Sequence, residues 1–156
     1  MCQNHVLFNS DLLHLFLHSH LKSVIFFREQ AENTSQNFVI VRKPSITVCS
    51  SQIGMRGGSQ TLNLGHGGGR TCYSEDTIIH EFMHALGVFH YQNRPDRDQY
   101  VTINFNNIKG GENNYNYKLE DTSQIFGIEY DVESFMHYGA FYFAIDDKKP
   151  TMESKV

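Results

Sequence analysis

Residues 80–90 read His-Glu-Phe-Met-His-Ala-Leu-Gly-Val-Phe-His, a spacing that can hold a metal ion. Side chains four residues apart project from one face of an α-helix, so the imidazoles of His80 and His84 can point at a single cation. Glu81 follows His80 on that helix, where its carboxylate can reach a water on the metal without binding the metal. The pattern predicts two metal ligands and a general base on one helix.

A third imidazole, that of His90, can join this site only if the chain turns back after the helix. A continuous helix would carry residue 90 away from the face of His80 and His84. Gly87 can make the turn at the lowest cost, because glycine readily adopts a left-handed conformation. Three histidine nitrogens leave one position of a tetrahedral Zn²⁺ open, which is typical of a catalytic zinc.

Two other interpretations of these histidines are possible. A histidine pair at this spacing also occurs in helices that bind no metal, so the short H-E-x-x-H pattern alone is weak. The glycine and the third histidine make the longer pattern far more specific. A structural zinc would need a fourth protein ligand, usually cysteine, and no cysteine lies nearby at a suitable spacing.

The segment that carries these residues is predicted to be a buried helix. Ser74 is a suitable N-cap, and the acids Glu75 and Asp76 follow it where the helix dipole favours negative charge. Apolar residues cover nearly the whole circumference outside the face of His80 and His84. These residues are Ile78, Ile79, Phe82, Met83, Ala85 and Leu86.

Short strands are predicted upstream of this helix. Residues 38–41 form a β-branched run that ends before Pro44, and residues 46–48 repeat the same signal. Residues 61–64 alternate apolar and polar side chains, as expected for a half-buried strand. Glycines separate these runs and mark turns.

Length and composition limit the class of protein. The 156 residues are 40% hydrophobic, which is enough apolar surface for one core. A net charge of −4 without a basic run argues against nucleic acid as a partner. No apolar run approaches the roughly 20 residues of a membrane span, and the N-terminus is a poor signal peptide. We expect a leader over residues 1–36 and one domain over residues 37–156.

The long histidine motif resembles the metzincin signature, in which a methionine-containing turn follows the zinc motif. Ser134-Phe135-Met136-His137-Tyr138 is similar to that turn. Within the metzincins, the chain resembles the astacin family of zinc endopeptidases. The resemblance is carried by GGSQTLNL at 57–64, TIIHE at 77–81, RPDRD at 94–98, VTIN at 101–104 and MHY at 136–138, and it extends from residue 37 to residue 143.

The resemblance implies an α+β fold of the zincin type, with a twisted mixed β-sheet, a buried active-site helix and an incomplete C-terminal subdomain. His80, His84 and His90 would bind one Zn²⁺ per chain. Glu81 would be the general base, and the Tyr138 hydroxyl would stabilise the tetrahedral intermediate.

Further site residues follow from the same resemblance. Met136 would form an apolar floor below the zinc, and Cys49 and Cys72 would form a disulfide. By the chain-entropy model, closing that loop stabilises the fold by roughly 3 kcal/mol. An edge strand with Cys49, Ser50, Ser51 and Gln52 would pair with the backbone of an extended substrate.

The function implied is a zinc metalloendopeptidase that cleaves internal peptide bonds through a metal-activated water. Its partner would be a polypeptide substrate and its location extracellular, whereas no oligomeric state is indicated. The alternatives are a truncated remnant that binds zinc without catalysis and a structural zinc module. The intact ligands and Glu81 favour the enzyme.

Three departures from the family pattern favour the remnant or limit the resemblance. Tyr91 stands where the family usually has a glutamate that helps to receive the N-terminus released by activation. The family's N-terminal cysteine is missing near residues 23–27, which leaves Cys2 as the odd thiol. The sequence ends at Val156, soon after the methionine turn, so we expect a chain truncated at both ends.

Overall fold

The computed structural model describes residues 5–7, 37–123 and 125–155. These residues belong to two compact units, an N-terminal unit up to Val88 and a C-terminal unit from Phe89 onward. The predicted thiol of Cys2 lies outside the described residues. The leader boundary at residue 36 stays a prediction. Within the described ranges, no helix combines the length and the apolar character needed to cross a membrane.

A four-stranded mixed sheet forms the framework of the N-terminal unit. Across the sheet, the strands are β1 (His5–Leu7), β2 (Phe38–Arg42), β4 (Ser59–Leu64) and β3 (Cys49–Ser51). β2 is parallel to both β1 and β4, whereas β3 pairs antiparallel with β4 and lies at one edge. A short hairpin of β5 (His66–Gly67) and β6 (Arg70–Thr71) follows the sheet.

The alternation of side chains along β4 determines where the core lies. Gln60, Leu62 and Leu64 are buried, and the residues between them are more exposed, as the two-residue period of a strand requires. Leu62 and Leu64 belong to one apolar cluster with Val39, Cys72, Ile78 and Phe82. Ile78 and Phe82, which lie two residues before and two residues after His80, are therefore buried against the sheet.

The predicted helix is present as α1, Glu75–Ala85. Ser74 has the extended backbone of an N-cap, and its Oγ accepts a hydrogen bond from the backbone N–H of Thr77 at 3.4 Å. Gly87 follows with a φ of +103°, a left-handed conformation. Both sequence signals for the ends of this helix are confirmed.

The prediction of a strand at residues 46–48 is wrong, because these residues are not in a strand. The chain makes a tight turn there, in which the N–H of Val48 donates to the carbonyl of Ile46 at 2.9 Å. This turn passes directly over Gly65, where a Cβ would lie 2.0 Å from the carbonyl oxygen of Ile46. The β-branched residues therefore cross the sheet's end instead of extending it, and the strand begins at Cys49.

The C-terminal unit contains little regular structure. Its strands β7 (Val101–Ile103) and β8 (Met152–Ser154) pair antiparallel. Much of the remaining chain forms short 3₁₀ turns, at Tyr91–Asn93, Arg97–Gln99, Phe105–Asn107, Gly111–Asn113 and Tyr115–Tyr117. The unit nevertheless has a buried interior that includes Tyr117 and Met136.

Candidate metal centre

The three histidines of the motif form one cluster. One ring nitrogen from each of His80, His84 and His90 lies within 4.8 Å of the others. His84 is buried, and His80 and His90 are half-buried. Three imidazoles grouped in this way match the donor set of a catalytic zinc.

The helix places the first two imidazoles, and one hydrogen bond orients the second. The rings of His80 and His84 have centroids 4.6 Å apart and lie nearly perpendicular. Nδ1 of His84 lies 2.8 Å from the carbonyl oxygen of Val88, so a proton on Nδ1 leaves Nε2 for a metal. Burial lowers the pKa of His84, which favours the neutral form that metals bind.

Backbone hydrogen bonds hold the turn after the helix. The N–H of Gly87 donates to the carbonyl of His84 at 2.9 Å, and the N–H of Gly54, in the loop between β3 and β4, donates to the same carbonyl at 2.8 Å. That loop is in turn tied to the sheet, because Nε2 of Gln60 donates to the carbonyl of Gly54 at 3.0 Å. The position of the second histidine is therefore supported from β4.

Glu81 is a buried carboxyl with an unused oxygen. The residue is 5% exposed, and burial raises its pKa to about 7. Its Oε2 atom has no hydrogen-bond partner within the described part of the chain. Burying such an atom without a partner costs free energy, so the site suits an occupant that binds this oxygen. Water beside a metal ion on the histidines is such an occupant, so the residues fit a bound zinc.

The residues around Met136 are tied to the turn that begins at His90. The N–H of Tyr91 donates to the carbonyl of Met136 at 2.8 Å, and Met136 is buried. The ring of Tyr138 has its centroid 4.6 Å from that of His90. The structure thus places Met136 and Tyr138 beside the third histidine, although neither role is tested by this placement.

The ring of Tyr91, which stands where the family usually has a glutamate, packs against the guanidinium of Arg94. The guanidinium of Arg94 lies 5.0 Å from the centroid of the Tyr91 ring and 5.1 Å from that of Tyr130. These are cation–π distances. The departure from the family pattern is therefore accommodated by an aromatic and cationic cluster.

Sequence reasoning missed Gln92 and Arg97 as parts of this region. Gln92 is fully buried, and its Oε1 accepts a hydrogen bond from the N–H of Tyr138 at 3.2 Å. Nη1 of Arg97 donates to the carbonyls of Gln92 at 2.7 Å and Tyr117 at 2.5 Å. Gln92 lies in the uncharged turn that follows His90, and Arg97 lies in the RPDRD segment that carries the resemblance, but neither position indicated these contacts.

The predicted disulfide and edge strand lie in the N-terminal unit. Cys49 and Cys72 form a disulfide with a Cα–Cα distance of 5.7 Å. Cys49, Ser50 and Ser51 form β3, and Gln52 follows directly. This strand is at the edge of the sheet, as the substrate prediction requires, but binding of substrate there stays a prediction.

Comparisons with known proteins agree with this geometry. The model of the astacin peptidase family matches residues 7–156. Meprin A subunit alpha of Mus musculus is 37% identical over 146 residues, which cover 93% of this chain and 18% of that protein. Zinc metalloproteinase nas-15 of Caenorhabditis elegans is 43% identical over 108 residues, which cover 69% of this chain and 18% of that protein.

A solved structure gives the same result for the fold. High choriolytic enzyme 1, a hatching enzyme zinc-protease from the medaka fish Oryzias latipes, superposes with a TM-score of 0.78 at 31% identity. The match covers 97% of this chain and 75% of that one. The predicted α+β zincin-type fold and the predicted zinc cofactor are confirmed by this likeness and the histidine cluster. The chain spans about a fifth of the length of the curated relatives it matches.

Proposed function

Because this chain belongs to the astacin family of peptidases, we propose that it is a zinc metalloendopeptidase that hydrolyses internal bonds of polypeptides. The observation that carries this proposal is the histidine cluster beside Glu81, a buried carboxyl whose Oε2 has no partner within the described residues. His80, His84 and His90 are the proposed ligands.

Zinc bound by these nitrogens would act as a Lewis acid that polarises a substrate carbonyl and makes water a stronger acid. Glu81 takes the proton from the attacking water at its free Oε2. It then returns this proton to the nitrogen of the leaving amine, so one carboxyl is first base and then acid. Water ends as the hydroxyl of the new carboxyl group and the hydrogen of the new amine.

Tyr138 is proposed to stabilise the charge that develops on the carbonyl oxygen. Its hydroxyl is a hydrogen-bond donor, and its ring lies beside His90. A donor that meets the oxygen only when it becomes an oxyanion lowers the barrier without tightening ground-state binding. Removing this hydroxyl should therefore lower kcat more than it raises KM.

The substrate is proposed to bind as an extended strand along β3. Cys49, Ser50 and Ser51 form an edge strand of the sheet and Gln52 follows it directly, and backbone pairing there would be largely independent of the substrate's side chains. The disulfide between Cys49 and Cys72 suits an oxidising compartment, which supports an extracellular location.

The alternative is a zinc-binding protein without peptidase activity. The observation that favours it is Tyr91, which packs against Arg94 where the family has a carboxylate. Glu81 and all three histidines are nevertheless in place, so the enzyme is the better-supported proposal.

The test compares the zinc-loaded parent chain with Glu81→Gln on an unfolded protein substrate, with zinc content measured for both. Glu75→Gln is the control, because Glu75 is an exposed glutamate on the same helix. We expect the parent and Glu75→Gln to cut alike. Glu81→Gln should hold one zinc and lose about 10²- to 10⁴-fold in activity, the usual range for a general base. A parent that holds zinc and does not cut would support the alternative.

A further inference from the structure

We infer that Gln92 is a positioning residue that holds Tyr138 beside His90. This inference rests on the proposed function, because it assigns Gln92 a part in peptide hydrolysis through Tyr138. Gln92 is the middle residue of the 3₁₀ turn Tyr91–Asn93, which directly follows His90, and its side chain is fully buried. A buried amide must satisfy both its oxygen and its nitrogen, so what it binds is informative.

The Gln92 amide binds two separate segments of the C-terminal unit. Its Oε1 accepts the N–H of Tyr138 at 3.2 Å. Its Nε2 donates to the carbonyl of Asn116 at 3.3 Å, with a further contact to Oδ1 of Asn93 at 3.4 Å. The amide therefore joins the Tyr138 backbone to the chain at Asn116.

Asn116 completes the connection at the other end of the tyrosine. The Tyr138 hydroxyl donates to Oδ1 of Asn116 at 3.3 Å, and Nδ2 of Asn116 donates to Asn114 at 2.9 Å. Both ends of Tyr138, its backbone N–H and its hydroxyl, thus connect in this structure to the pair formed by Gln92 and Asn116, and the hydroxyl would leave Asn116 when it donates its one proton to the oxyanion. The ring between them lies 4.6 Å from that of His90.

Gln92 is itself held from a second direction. Its backbone carbonyl accepts Nη1 of Arg97 at 2.7 Å, and Arg97 is buried. The backbone of the preceding residue, Tyr91, donates to Met136 at 2.8 Å. The backbone of Gln92 is therefore fixed by the turn that follows His90. Its side chain in turn fixes the backbone of Tyr138 relative to that turn.

The side chain at position 92 must accept a hydrogen bond from the Tyr138 N–H and donate one to the Asn116 carbonyl. An amide can do both, whereas side chains of similar size cannot. Glutamate keeps the acceptor for the Tyr138 N–H but cannot donate to the Asn116 carbonyl, and methionine can do neither strongly. A displaced hydroxyl weakens stabilisation of the transition state, whereas substrate binding along the sheet edge is unaffected. Loss of the amide should consequently lower kcat and leave KM and zinc content unchanged.

The experiment is a double-mutant cycle between Gln92→Met and Tyr138→Phe in the zinc-loaded chain. We expect Gln92→Met to lower kcat at least tenfold, with KM within twofold and one zinc retained. In the Tyr138→Phe background the same change should alter kcat by less than twofold, since the hydroxyl it positions is already gone. An equal fall in both backgrounds, or no fall in the parent, overturns the inference.

A matched control separates positioning from general loss of packing. Asn107 is a buried amide in the same unit that binds the backbone of Asp146 and Lys149. Asn107→Leu should lower Tm and leave kcat within twofold. If Gln92→Met fails to fold, Gln92→Asn keeps the amide but shortens its reach. Unchanged kcat in that variant overturns the inference equally.

A second readout does not depend on activity. In protein carrying ¹³C at the tyrosine Cζ, the Tyr138 resonance is assigned by its loss in Tyr138→Phe. We expect it to shift or broaden in Gln92→Met and to stay in place in Asn107→Leu. An unmoved resonance in Gln92→Met overturns the positioning role, whereas an inactive parent with a shifted resonance overturns the proposed function alone.

Discussion

The two units of this molecule stabilise their interiors by different means. In the N-terminal unit, the core is an apolar cluster of Val39, Leu62, Leu64, Cys72, Ile78 and Phe82. In the C-terminal unit, buried polar side chains lie beside the apolar ones. They are Gln92, Asn93, Arg94, Arg97, Asn107 and Thr151.

The difference shows two ways of placing a functional side chain. His80, Glu81 and His84 are placed by helical periodicity, because an apolar core fixes which face of α1 is buried. In the C-terminal unit, the short turns lack such periodicity. Side-chain amides and guanidinium groups there form hydrogen bonds with backbone groups that would be paired with another strand in a β-sheet. Tyr138 is placed by this second kind of contact.

Phe82→Ala should have the largest effect on stability, if apolar packing holds the N-terminal unit. Phe82 is 1% exposed, and truncating a buried phenylalanine typically costs about 3–5 kcal/mol. Urea unfolding measures this loss. Phe126→Ala is the control, because Phe126 is 81% exposed and should change the unfolding free energy by less than about 0.5 kcal/mol. Equal effects from the two substitutions would show that this core does not dominate.

The N-terminal part of the site could be predicted from sequence because its determinants are local. Ser74 and Gly87 mark the ends of the helix, and the four-residue spacing of His80 and His84 sets their common face. The false strand at residues 46–48 shows the limit of this approach. These residues have the β-branched composition of a strand, but their close passage over Gly65 is a tertiary contact that composition does not reveal.

Arg97→Met tests whether buried polar contacts stabilise the C-terminal unit. The substitution keeps much of the side chain's volume but removes the donors to the carbonyls of Gln92 and Tyr117. Each hydrogen bond from a charged group contributes about 1.5–3 kcal/mol, and at the lower end of that range the two bonds give an expected loss of about 3 kcal/mol. Arg70→Met, at an exposed arginine, should cost little. Similar urea midpoints for both variants would contradict the distinction between the two units.

The C-terminal part of the site could be predicted only in part. The resemblance supplied Tyr138 and Met136, but no pattern indicated that Gln92 would bind the Tyr138 backbone across 46 residues of sequence. An exposed and a buried glutamine look alike in a sequence, because polar residues carry no periodic signal outside regular elements. Such contacts follow from tertiary structure alone.

The smallest effect is expected from pH, at the ion pair of Arg94 and Asp96. Two guanidinium hydrogen bonds, at 2.9 and 2.8 Å, hold the pKa of Asp96 below its ordinary value of 3.8. A group whose pKa is lower in the folded state stabilises the fold above its unfolded pKa and loses that effect as pH falls through the folded one. The pair should thus contribute fully near pH 6 and progressively less below pH 4.

Asp96→Asn isolates this contribution. The unfolding free energy of the parent should exceed that of the variant by about 1 kcal/mol near pH 6, as for a partly exposed pair, and the difference should shrink as pH falls below 4. Other titrating groups affect both proteins alike and cancel in the difference. Arg94 also donates to the carbonyls of Ile128 and Glu129, so the variant keeps part of the cluster. A difference that is independent of pH would mean that these backbone contacts, and not the ion pair, stabilise the turn after the third histidine.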